Sequence, residues 1–496
     1  MQRLAIPAGL FFFALVLFTV GNGFPLGFHP DEVAWTNNVL NGHWDLEQPL
    51  LLRETVALIV AATRVSEPQH AVEIGRWVCA AAMAGGIAGL FIAIRARAGE
   101  AAASIASAAA ALTPLAAIHA HYFKDDAPLF CCCTLAVLAF RRFLAAPVWK
   151  NFTLLGLALG AAVSSKEPGL FLVAVFGLTI LTQPRREWRT LIMGLAIAVV
   201  IAAAVFVIAD IPMLLEPGRT ATELGDENRG IFTGHWDGVV YAPWFHFTRS
   251  LWQGVGPAFM AVATLGLALA ARRSLAHPID RLMVIYAALF YAVIELSPLK
   301  PGPDAGRYAL PLLVPLAYFF GLAVGEGRVL LAGAWPRWRR GMALAVCAVA
   351  TIVALIAGVS TARLTAGLDN DTRLQAGRLL AGKDAQIVTE MFGVGIGRQV
   401  RSLADVNLSA PGPAMRYLVA SSLLYGRYEY GAAVGGAGNA AATDTWTKYQ
   451  AIFASHFYCE IRPAYMTYAM SNPTIRVIDL SAPPRDGAPP ACRPNG

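Results

Sequence analysis

Long apolar stretches and short polar stretches alternate over the first 360 residues of the chain. A helix needs about 20 apolar residues to cross a bilayer, and most of these stretches approach that length. They cover residues 4–20, 72–94, 101–118, 128–140, 152–164, 168–183, 190–208, 251–271, 282–297, 308–325 and 341–360. The pattern predicts an all-α polytopic membrane protein with about 11 transmembrane helices.

The composition supports a membrane protein. Hydrophobic residues make up 56% of the 496 positions, charged residues make up 14%, and the mean hydropathy is +0.53. A water-soluble globule needs a more polar exterior than this composition supplies. The formal net charge of +7 would suggest nucleic acid as a partner of a soluble protein, but here the charge has to be divided among the loops. The expected surroundings are membrane lipids, with no nucleic acid.

The distribution of charge between the loops predicts the orientation in the membrane. With the N-terminus in the cytoplasm, the inside loops hold 16 basic and four acidic residues, whereas the outside loops before residue 361, with the span ends next to them, hold ten basic and 18 acidic residues. The positive-inside rule therefore favours this orientation. An odd number of spans then places the C-terminal part in the periplasm. No small-residue cleavage site follows residues 4–20, so we expect that run to be a retained first span.

The polar segments divide the chain into two predicted domains. Residues 1–360 form a transmembrane module, whose outside loops 21–70 and 209–250 are long enough to cover a site. In the first loop, "EQPLLLRETVALIVAATRVSEP" combines helical apolar spacing with charges, which predicts a helix along the membrane surface. Residues 361–496 carry strand-like runs such as "AQIVTEMF" and "IRVIDL" and one helical stretch. They predict a small periplasmic α/β domain.

Two of the seven cysteines, Cys459 and Cys492, lie in the predicted periplasmic domain. In an oxidising compartment they can form a disulfide, and two unpaired thiols are an equal alternative. The other five fall within apolar runs, where Cys packs as a small hydrophobic residue. No cysteine spacing in the sequence is typical of a metal site.

Asp31 and Glu32 are adjacent acids in "GFHPDEVAWTNN", directly after the first apolar run, and His29 lies just before them. An exposed acidic pair in a loop is usually only solvated surface. Here a helix end broken by Gly and Pro places the pair at the membrane surface. A carboxylate that is partly removed from water and faces another acid has a raised pKa and can accept a proton. We predict that Asp31 and Glu32 are catalytic and that His29 contacts substrate.

A second acidic stretch, "HAHYFKDDAPLF", occupies another outside helix junction. If the outside ends of the first and fourth spans are neighbours, Asp126 lies close to Asp31, and His121 and Asp125 become substrate contacts. We therefore predict Asp126 as a third catalytic carboxylate. The same two acids, Asp31 and Asp126, could instead hold a divalent cation, Mg²⁺ or Mn²⁺, through oxygen ligands. The pattern requires no cofactor, so the metal is an alternative.

Basic residues at outside helix ends indicate a phosphate site. Lys166 lies in "SSKEPG", and Lys300 and Arg307 lie in "KPGPDAGRYALPLLVP". A single side chain of this kind can simply extend to the membrane interface. Taken with the acids, the three cations indicate a substrate that has a lipid tail, a phosphate and a transferable group. Arg307 offers phosphate a planar fork and Lys166 a point charge, and Tyr308 is a neighbouring substrate contact.

Aromatic residues are concentrated in "TGHWDGVVYAPWFHFTRSLWQGVGP", which includes the end of the second outside loop. Rings in this position are typical of the aromatic belt at a membrane interface. Trp244 and His246 could also line a sugar site above the lipid phosphate. Both interpretations can hold at once.

The motifs resemble those of a known group of enzymes. "HPDE", "DAPL", "SKEPG" and "RYALPLLVP" are similar, in that order, to motifs of the GT-C membrane glycosyltransferases. The most similar type is the family of dolichyl-phosphate-mannose protein mannosyltransferases and bacterial aminoarabinose transferases, and the similarity covers about residues 1–325. The resemblance implies inverting transfer of a sugar from a polyprenyl-phosphate donor to a periplasmic acceptor, which is a lipid, a polysaccharide or a protein.

The resemblance also implies roles for individual residues. Asp31 matches the catalytic base, and Asp126 matches the second acidic position. Lys166 and Arg307 match positions that neutralise the donor phosphate, and His246 fits a less specific loop position. No β-trefoil insert like that of eukaryotic protein mannosyltransferases is recognisable, which argues against a protein acceptor.

Two other classes of function fit parts of the sequence. A transporter or flippase of lipid-linked sugars would also need many helices and buried charges, but the sequence shows no internal repeat. A structural assembly protein would leave the acidic and basic clusters without a role. The transferase is therefore the preferred hypothesis.

Overall fold

The computed structural model of the chain describes residues 2–300, 302–406, 415–484 and 487–492. The part up to Asp369 is almost entirely helical, and a five-stranded sheet follows it. The predicted fold class, a helical membrane module followed by a small α/β domain, is confirmed in this general form.

The first half of the helical module contains helices α1 to α10. Pro30, Pro68 and Pro114 each open a helix, at the position where a missing backbone N–H breaks no helical hydrogen bond. The bounds are α1 Gln2–Thr19, α2 Pro30–Asn41, α3 Leu51–Thr63, α4 Pro68–Ala98, α5 Glu100–Ala111, α6 Pro114–His121, α7 Asp126–Ala145, α8 Trp149–Ser165, α9 Phe171–Leu181 and α10 Trp188–Ala209. The helix predicted from "EQPLLLRETVALIVAATRVSEP" is present as α3.

The second half contains helices α11 to α17, one π-helix and one 3-10 helix. A π-helix, His246–Leu251, precedes α13, and a 3-10 helix, Gly302–Leu312, leads into α16. The bounds are α11 Ile211–Leu215, α12 Pro217–Thr233, α13 Trp252–Val255, α14 Pro257–Arg273, α15 Pro278–Leu296, α16 Leu313–Ala334 and α17 Arg339–Asp369. Helix α17 passes without a break through the domain boundary predicted at residue 360.

The structure does not confirm eleven spans, although each predicted apolar run falls on helical structure. Among the described residues, five helices are long and apolar enough to cross a membrane, and two bent helix pairs raise the number to seven. The five are Pro68–Ala98, Asp126–Ala145, Trp188–Ala209, Ala305–Leu331 and Arg339–Leu379. Several other helices, such as Leu4–Thr19, are apolar but short. Apolar composition alone does not separate a spanning helix from a short or broken one.

Both bent pairs have a local cause. Helices α5 and α6 meet at 56°, where the Thr113 hydroxyl accepts a hydrogen bond from the backbone N–H of Ala116 and Pro114 begins α6. The second pair is bent by 111° at Gly256, whose φ of 84° is accessible mainly to glycine, and Pro257 follows it. A proline and a residue that ends the preceding helix therefore produce each bend.

The C-terminal domain is built on a mixed sheet with the strand order β2-β1-β3-β5-β4. Strand β1 runs parallel to β2 and β3, and β5 runs antiparallel to β3 and β4. The elements are β1 Ile387–Glu390, β2 Arg398–Val400, β3 Tyr417–Ser421, β4 Phe457–Ile461 and β5 Ile475–Asp479, with helices α18 Thr372–Leu379, α19 Tyr425–Val434 and α20 Ala440–Ser455. The strands predicted from "AQIVTEMF" and "IRVIDL" are β1 and β5.

The central strand β3 is buried on both faces. Leu418 and Ala420 pack into the core that contains Tyr449 of α20, whereas Val419 packs into a second core with Ala376 of α18. Alternate residues of a strand point to opposite faces, so helices on both sides of the sheet explain its continuous apolar sequence.

Cys459 and Cys492 form a disulfide, which decides between the two alternatives that the sequence leaves open. The bond ties the C-terminal segment to β4, and the backbone N–H of Cys492 donates a hydrogen bond to the Glu460 carbonyl at 3.0 Å. The last described residues are therefore held against the edge of the sheet.

We expect Gly266→Ala to destabilise the helical module. Gly266 of α14 faces α16 so closely that a Cβ atom would overlap the carbonyl oxygen of Phe319. Forcing the helices apart typically costs about 1–3 kcal/mol. Thermal unfolding of the detergent-solubilised protein should show a lower midpoint for Gly266→Ala. The control is Gly177→Ala in α9, where a Cβ atom would meet nothing within 4 Å. Equal midpoints for the two variants would contradict this account of helix packing.

Candidate active site

The N-terminus of α2 orients the two adjacent acids. His29 caps the helix, because its ring nitrogen Nδ1 lies 3.3 Å from the backbone N–H of Asp31, and Pro30 occupies the first helical position. Consecutive residues of a helix point about 100° apart, so Asp31 and Glu32 cannot share one environment. The structure gives them different partners.

Glu32 is fully buried in an ion pair with Arg76 of α4. Two guanidinium nitrogens of Arg76 donate to the carboxylate at 2.9 and 2.7 Å, and the backbone N–H of Phe123 donates a third hydrogen bond at 3.0 Å. Arg76 also donates to the carbonyls of Asn22 and Phe24. The pair joins three segments of chain, and as placed Glu32 does not reach a cavity. This geometry favours a positioning role for Glu32 over the catalytic role predicted for it.

Asp31 faces a cavity and is surrounded by cations. Its side chain is 36% exposed, and one carboxylate oxygen accepts a hydrogen bond from the Lys124 ammonium. The same oxygen lies 3.5 Å from the Arg307 guanidinium and 3.9 Å from His29. Lys124 is itself buried, with its ammonium 4.5 Å from the centre of the Trp35 ring. The predicted proximity of the two outside corners is therefore present, through Lys124.

The electrostatics of Asp31 differ from the expectation based on facing acids. Burial alone would raise its pKa, but the charges of Lys124, His29 and Arg307 outweigh burial and lower the pKa of Asp31 below its ordinary value. The predicted rise was wrong because the nearest groups are cations and not a second carboxylate. Asp31 therefore stays ionised at neutral pH.

Lys166 is held by the second acidic site. Its ammonium lies 2.7 Å from Asp126 and 3.4 Å from Asp125, and all three side chains are buried. Asp126 opens α7, and Lys166 ends α8, so the contact forms where the start of one helix meets the end of the other. The Asp125 side chain is fully buried beside Lys166.

A polar cavity of about 410 Å³ opens beside Asp31. Its walls come from α2 and the loop after it, from α12 and the loop after it, and from the 3-10 helix Gly302–Leu312. Further acids at its walls are Asp45, Glu47, Asp226 and Glu227. We refer to this space as the polar cavity.

An apolar cleft adjoins the polar cavity. Asp126 and Lys166 lie at the cleft, whose other walls are mostly apolar, including Ile231 and Phe290. Leu299, Arg307 and Tyr308 line both spaces and form the wall between them. A cation, Arg307, thus stands where the apolar cleft meets the polar cavity. Tyr308, which was predicted as a substrate contact, is part of this wall.

Besides Glu32, Asp125 and His29, four more predicted site residues are not among the described residues that line the polar cavity or the apolar cleft. The His121 ring lies 2.6 Å from the Ala117 carbonyl and 2.9 Å from that of Val20, so it ties α6 to the end of α1. Lys300 donates to the carbonyls of Glu295 and Ser297. The remaining two are His246, which is buried 3.0 Å from Ser250, and Trp244, which is exposed beside a different groove.

The sequence pattern assigns no role to Lys124 or Arg53, which the structure places at the site. Arg53 of α3 lines the polar cavity and donates to the Asn38 side chain at 3.0 Å and to the Asp45 carbonyl at 2.7 Å. A basic residue within the apolar run "LLRETVALIV" is the one signal for it, since charges in such runs usually have a role. The acids that line the polar cavity also influence one another. Burial and the nearby charges of Glu227 and Asp45 raise the pKa of Glu47.

The arrangement does not fit a divalent cation between Asp31 and Asp126. Each carboxylate already faces an ammonium group, Lys124 for Asp31 and Lys166 for Asp126. In the part of the chain that the structure describes, no group of three His, Cys, Asp or Glu side chains is placed to hold a metal. We therefore derive no catalytic step through a metal.

Comparison with known sequences gives one family. Residues 58–209 match the profile of the family described as dolichyl-phosphate-mannose-protein mannosyltransferase. This segment runs from α3 to the end of α10 and includes Asp126 and Lys166. No curated protein sequence matches the chain at a significant level.

Solved structures match most of the chain. ArnT from Cupriavidus metallidurans, bound to undecaprenyl phosphate, is 16% identical with a TM-score of 0.50, over 76% of this chain and 72% of that one. The Archaeoglobus fulgidus oligosaccharyltransferase in its apo form is 12% identical with a TM-score of 0.56, over 94% and 74%. The same archaeal enzyme, AglB, in complex with an inhibitory peptide and a dolichol phosphate, is 12% identical with a TM-score of 0.54, over 94% of this chain and 74% of that one.

These comparisons define the class of the fold. The chain has the GT-C fold of membrane glycosyltransferases, and the resemblance inferred from its motifs is confirmed. At this level of identity the structures establish the fold, and the activity has to be argued from the site.

We expect Arg76→Leu to destabilise the protein strongly. It leaves Glu32 buried without its partner, and breaking a buried ion pair in this way costs about 3–5 kcal/mol. The double variant Glu32→Gln with Arg76→Leu removes both charges and should recover part of the loss. Denaturant or thermal unfolding in detergent measures both effects. A double variant less stable than Arg76→Leu alone would contradict the charge argument.

Proposed function

We propose that this protein is a glycosyltransferase that moves a sugar from a polyprenyl-phosphate donor to an acceptor at the outer face of the membrane. The observation that carries the proposal is the junction of the two spaces at Arg307: an apolar cleft with Lys166 on one side, and a polar cavity with Asp31 on the other. A lipid-linked phosphosugar has the same order of apolar tail, anionic phosphate and polar sugar.

The donor phosphate fits between Lys166 and Arg307. Lys166 lies at the apolar cleft, where an anion loses most of its hydration, and Arg307 lines the same cleft from the opposite side of the junction. An Arg fork and a Lys point charge are the usual protein partners of phosphate. Lys300, also predicted for this task, has its ammonium on backbone carbonyls, so we do not include it.

Asp31 acts as the base in this proposal. An oxygen or nitrogen atom of the acceptor attacks the anomeric carbon, and the bond to the phosphate oxygen breaks with its electron pair moving to the phosphate. The proton of the acceptor passes to the Asp31 carboxylate, and the configuration at the anomeric carbon is inverted. Lys166 and Arg307 stabilise the charge that the leaving phosphate gains, which is the larger part of the catalytic task.

Donor binding also changes the pKa of the proposed base, Asp31. Arg307 is one of the charges that lower the pKa of Asp31, and it is the residue proposed to bind phosphate. When the phosphate neutralises Arg307, the pKa of Asp31 rises and its proton affinity grows. Asp31 therefore becomes a better base only when the donor is in place.

The related structures support the substrate class. ArnT of Cupriavidus metallidurans was crystallised with undecaprenyl phosphate, and AglB of Archaeoglobus fulgidus was studied with dolichol phosphate and a peptide. For this chain we propose a polyprenyl-phosphate sugar as donor and a lipid, polysaccharide or protein as acceptor. Mass spectrometry of lipids, glycans and envelope proteins, from cells with and without the chain, would identify the product.

We propose the topology that the charge distribution predicts: a cytoplasmic N-terminus, 11 spans in the bacterial inner membrane, and a periplasmic domain from residue 361 to 496. The disulfide between Cys459 and Cys492 supports this orientation, because structural disulfides persist in oxidising compartments. The two outside loops, 21–70 and 209–250, supply walls of the polar cavity, in keeping with their proposed function as its cover.

We expect Asp31→Asn to abolish transfer while leaving donor binding intact. Removing the base should lower kcat about 10²–10⁴-fold. The measurement is the yield of the product identified by mass spectrometry, together with the affinity of the purified protein for undecaprenyl phosphate. The control is Asp444→Asn, an exposed aspartate of α20 whose ion pair with Lys448 is on the surface. Full transfer by Asp31→Asn would show that the base is a different residue.

We expect Lys124→Gln to move the acid limb of the pH profile. The rate requires ionised Asp31, whose pKa Lys124 lowers, so the wild-type rate should stay level as the pH falls from 8 to 5. Without Lys124 the pKa of Asp31 rises, and the loss of rate on acidification should begin at higher pH, by about one unit or more. Profiles of kcat/KM against pH measure this shift. Identical acid limbs for the two proteins would contradict the role of Lys124.

A further inference from the structure

A third cavity, of about 210 Å³, lies between the C-terminal domain and the helical module. One side is α19, with Arg427 and Tyr430, and the other is formed by Tyr241, Phe245 and the π-helix His246–Leu251. Gly302 and Gly306, from the 3-10 helix Gly302–Leu312, complete the walls. We refer to this space as the interdomain cavity. None of the described residues that line it also lines the polar cavity or the apolar cleft.

The interdomain cavity is cationic. Arg249 and Arg427 line it, and no Asp or Glu is among the described residues that do. Arg427 is almost fully buried and pairs with Asp237 outside the cavity, at 3.0 Å. Arg249 lies 5.7 Å from the centre of the Tyr430 ring, and among the described residues it forms no ion pair. An anionic group is the ligand that this charge distribution fits.

Aromatic and polar side chains also line the interdomain cavity, a combination that suits a sugar. The rings of Tyr241 and Tyr430 stack with centres 5.0 Å apart, and Phe245 lies 4.5 Å from Tyr241. Flat rings offer apolar faces, and the nearby Gln253 and Ser422 offer hydrogen-bonding groups. A ligand with both an apolar face and several hydroxyl groups satisfies both kinds of wall.

Two glycines allow the parts of the cavity to approach closely. A Cβ atom on Gly302 would lie 2.6 Å from Nε of Arg427, and one on Gly306 would lie 2.8 Å from the Tyr468 hydroxyl. Gly306 directly precedes Arg307, whose side chain lies between the polar cavity and the apolar cleft. The interdomain cavity is therefore built against the segment that carries Arg307.

We propose that the interdomain cavity binds an anionic saccharide, such as a uronic acid or a sugar phosphate. Its volume is below the roughly 300–1,000 Å³ of pockets for drug-sized ligands, so it takes a unit of about one sugar. Arg249 binds the carboxylate or phosphate, and the aromatic rings pack against the sugar. This site is additional to the transfer reaction and holds whether or not the reaction proposed above is correct.

Calorimetry on the full-length protein in lipid nanodiscs tests the site with four probes: glucuronate, glucose 1-phosphate, glucose and inorganic phosphate. We expect the two anionic sugars to bind, and glucose and phosphate each to bind at least about tenfold more weakly, because each lacks one half of the recognised chemistry. Equal binding of phosphate alone or of glucose alone would overturn the proposal, as would no binding of any probe.

Matched variants locate the binding. Arg249→Gln should weaken glucuronate binding about tenfold or more, since it removes a charged hydrogen-bond donor. Arg378→Gln, an exposed arginine of α18, should leave binding unchanged. Arg307→Gln should keep glucuronate binding and lose affinity for undecaprenyl phosphate. If Arg307→Gln abolishes glucuronate binding and Arg249→Gln does not, the probe occupies the active site and the proposal fails. Loss of lipid-phosphate binding is scored separately, so the two proposals can fail independently.

Discussion

The site depends on one buried ion pair. In apolar surroundings Glu32 cannot remain charged without a partner, and Arg76 supplies two hydrogen bonds to it while also binding the backbone after α1. This arrangement joins the N-terminus of α2 to α4 and to the segment before α7. Because Glu32 is held inward, the neighbouring Asp31 is turned toward the polar cavity. The exposure of the proposed base is therefore a consequence of the burial of its neighbour.

Around Asp31 the charges are balanced before any substrate arrives. Asp31 lies with Lys124 and Arg307, and Asp125 and Asp126 lie with Lys166, so three acids face three cations. In the reaction proposed above, the donor phosphate competes with Asp31 for Arg307. The binding energy of the donor then releases Asp31 as the proposed base, which links recognition of the phosphate to the chemical step.

Much of this could be predicted from the sequence, and the limits have physical causes. Apolar runs identified the helices, and the short motifs with Asp31, Asp126, Lys166 and Arg307 identified groups that the structure does bring together. Sequence adjacency did not show that Glu32 points inward, because that depends on Arg76, 44 residues away. Nor did it show that Lys300 folds back on its own backbone. The interdomain cavity was not predictable, since its walls come from segments far apart in the chain.

Helix α17 has a mechanical consequence for the whole molecule. It extends from Arg339 to Asp369 in one piece, so the C-terminal domain is mounted on a rod and not on a flexible tether. At about 1.5 Å per residue, a rod of this length transmits tilt from one end to the other. At the end of the rod, Leu368 packs in one apolar cluster with Phe28 of the helical module and Leu423 of the C-terminal domain. A change in the tilt of α17 would therefore displace the C-terminal domain as one body and alter the gap that holds Arg249 and Arg427.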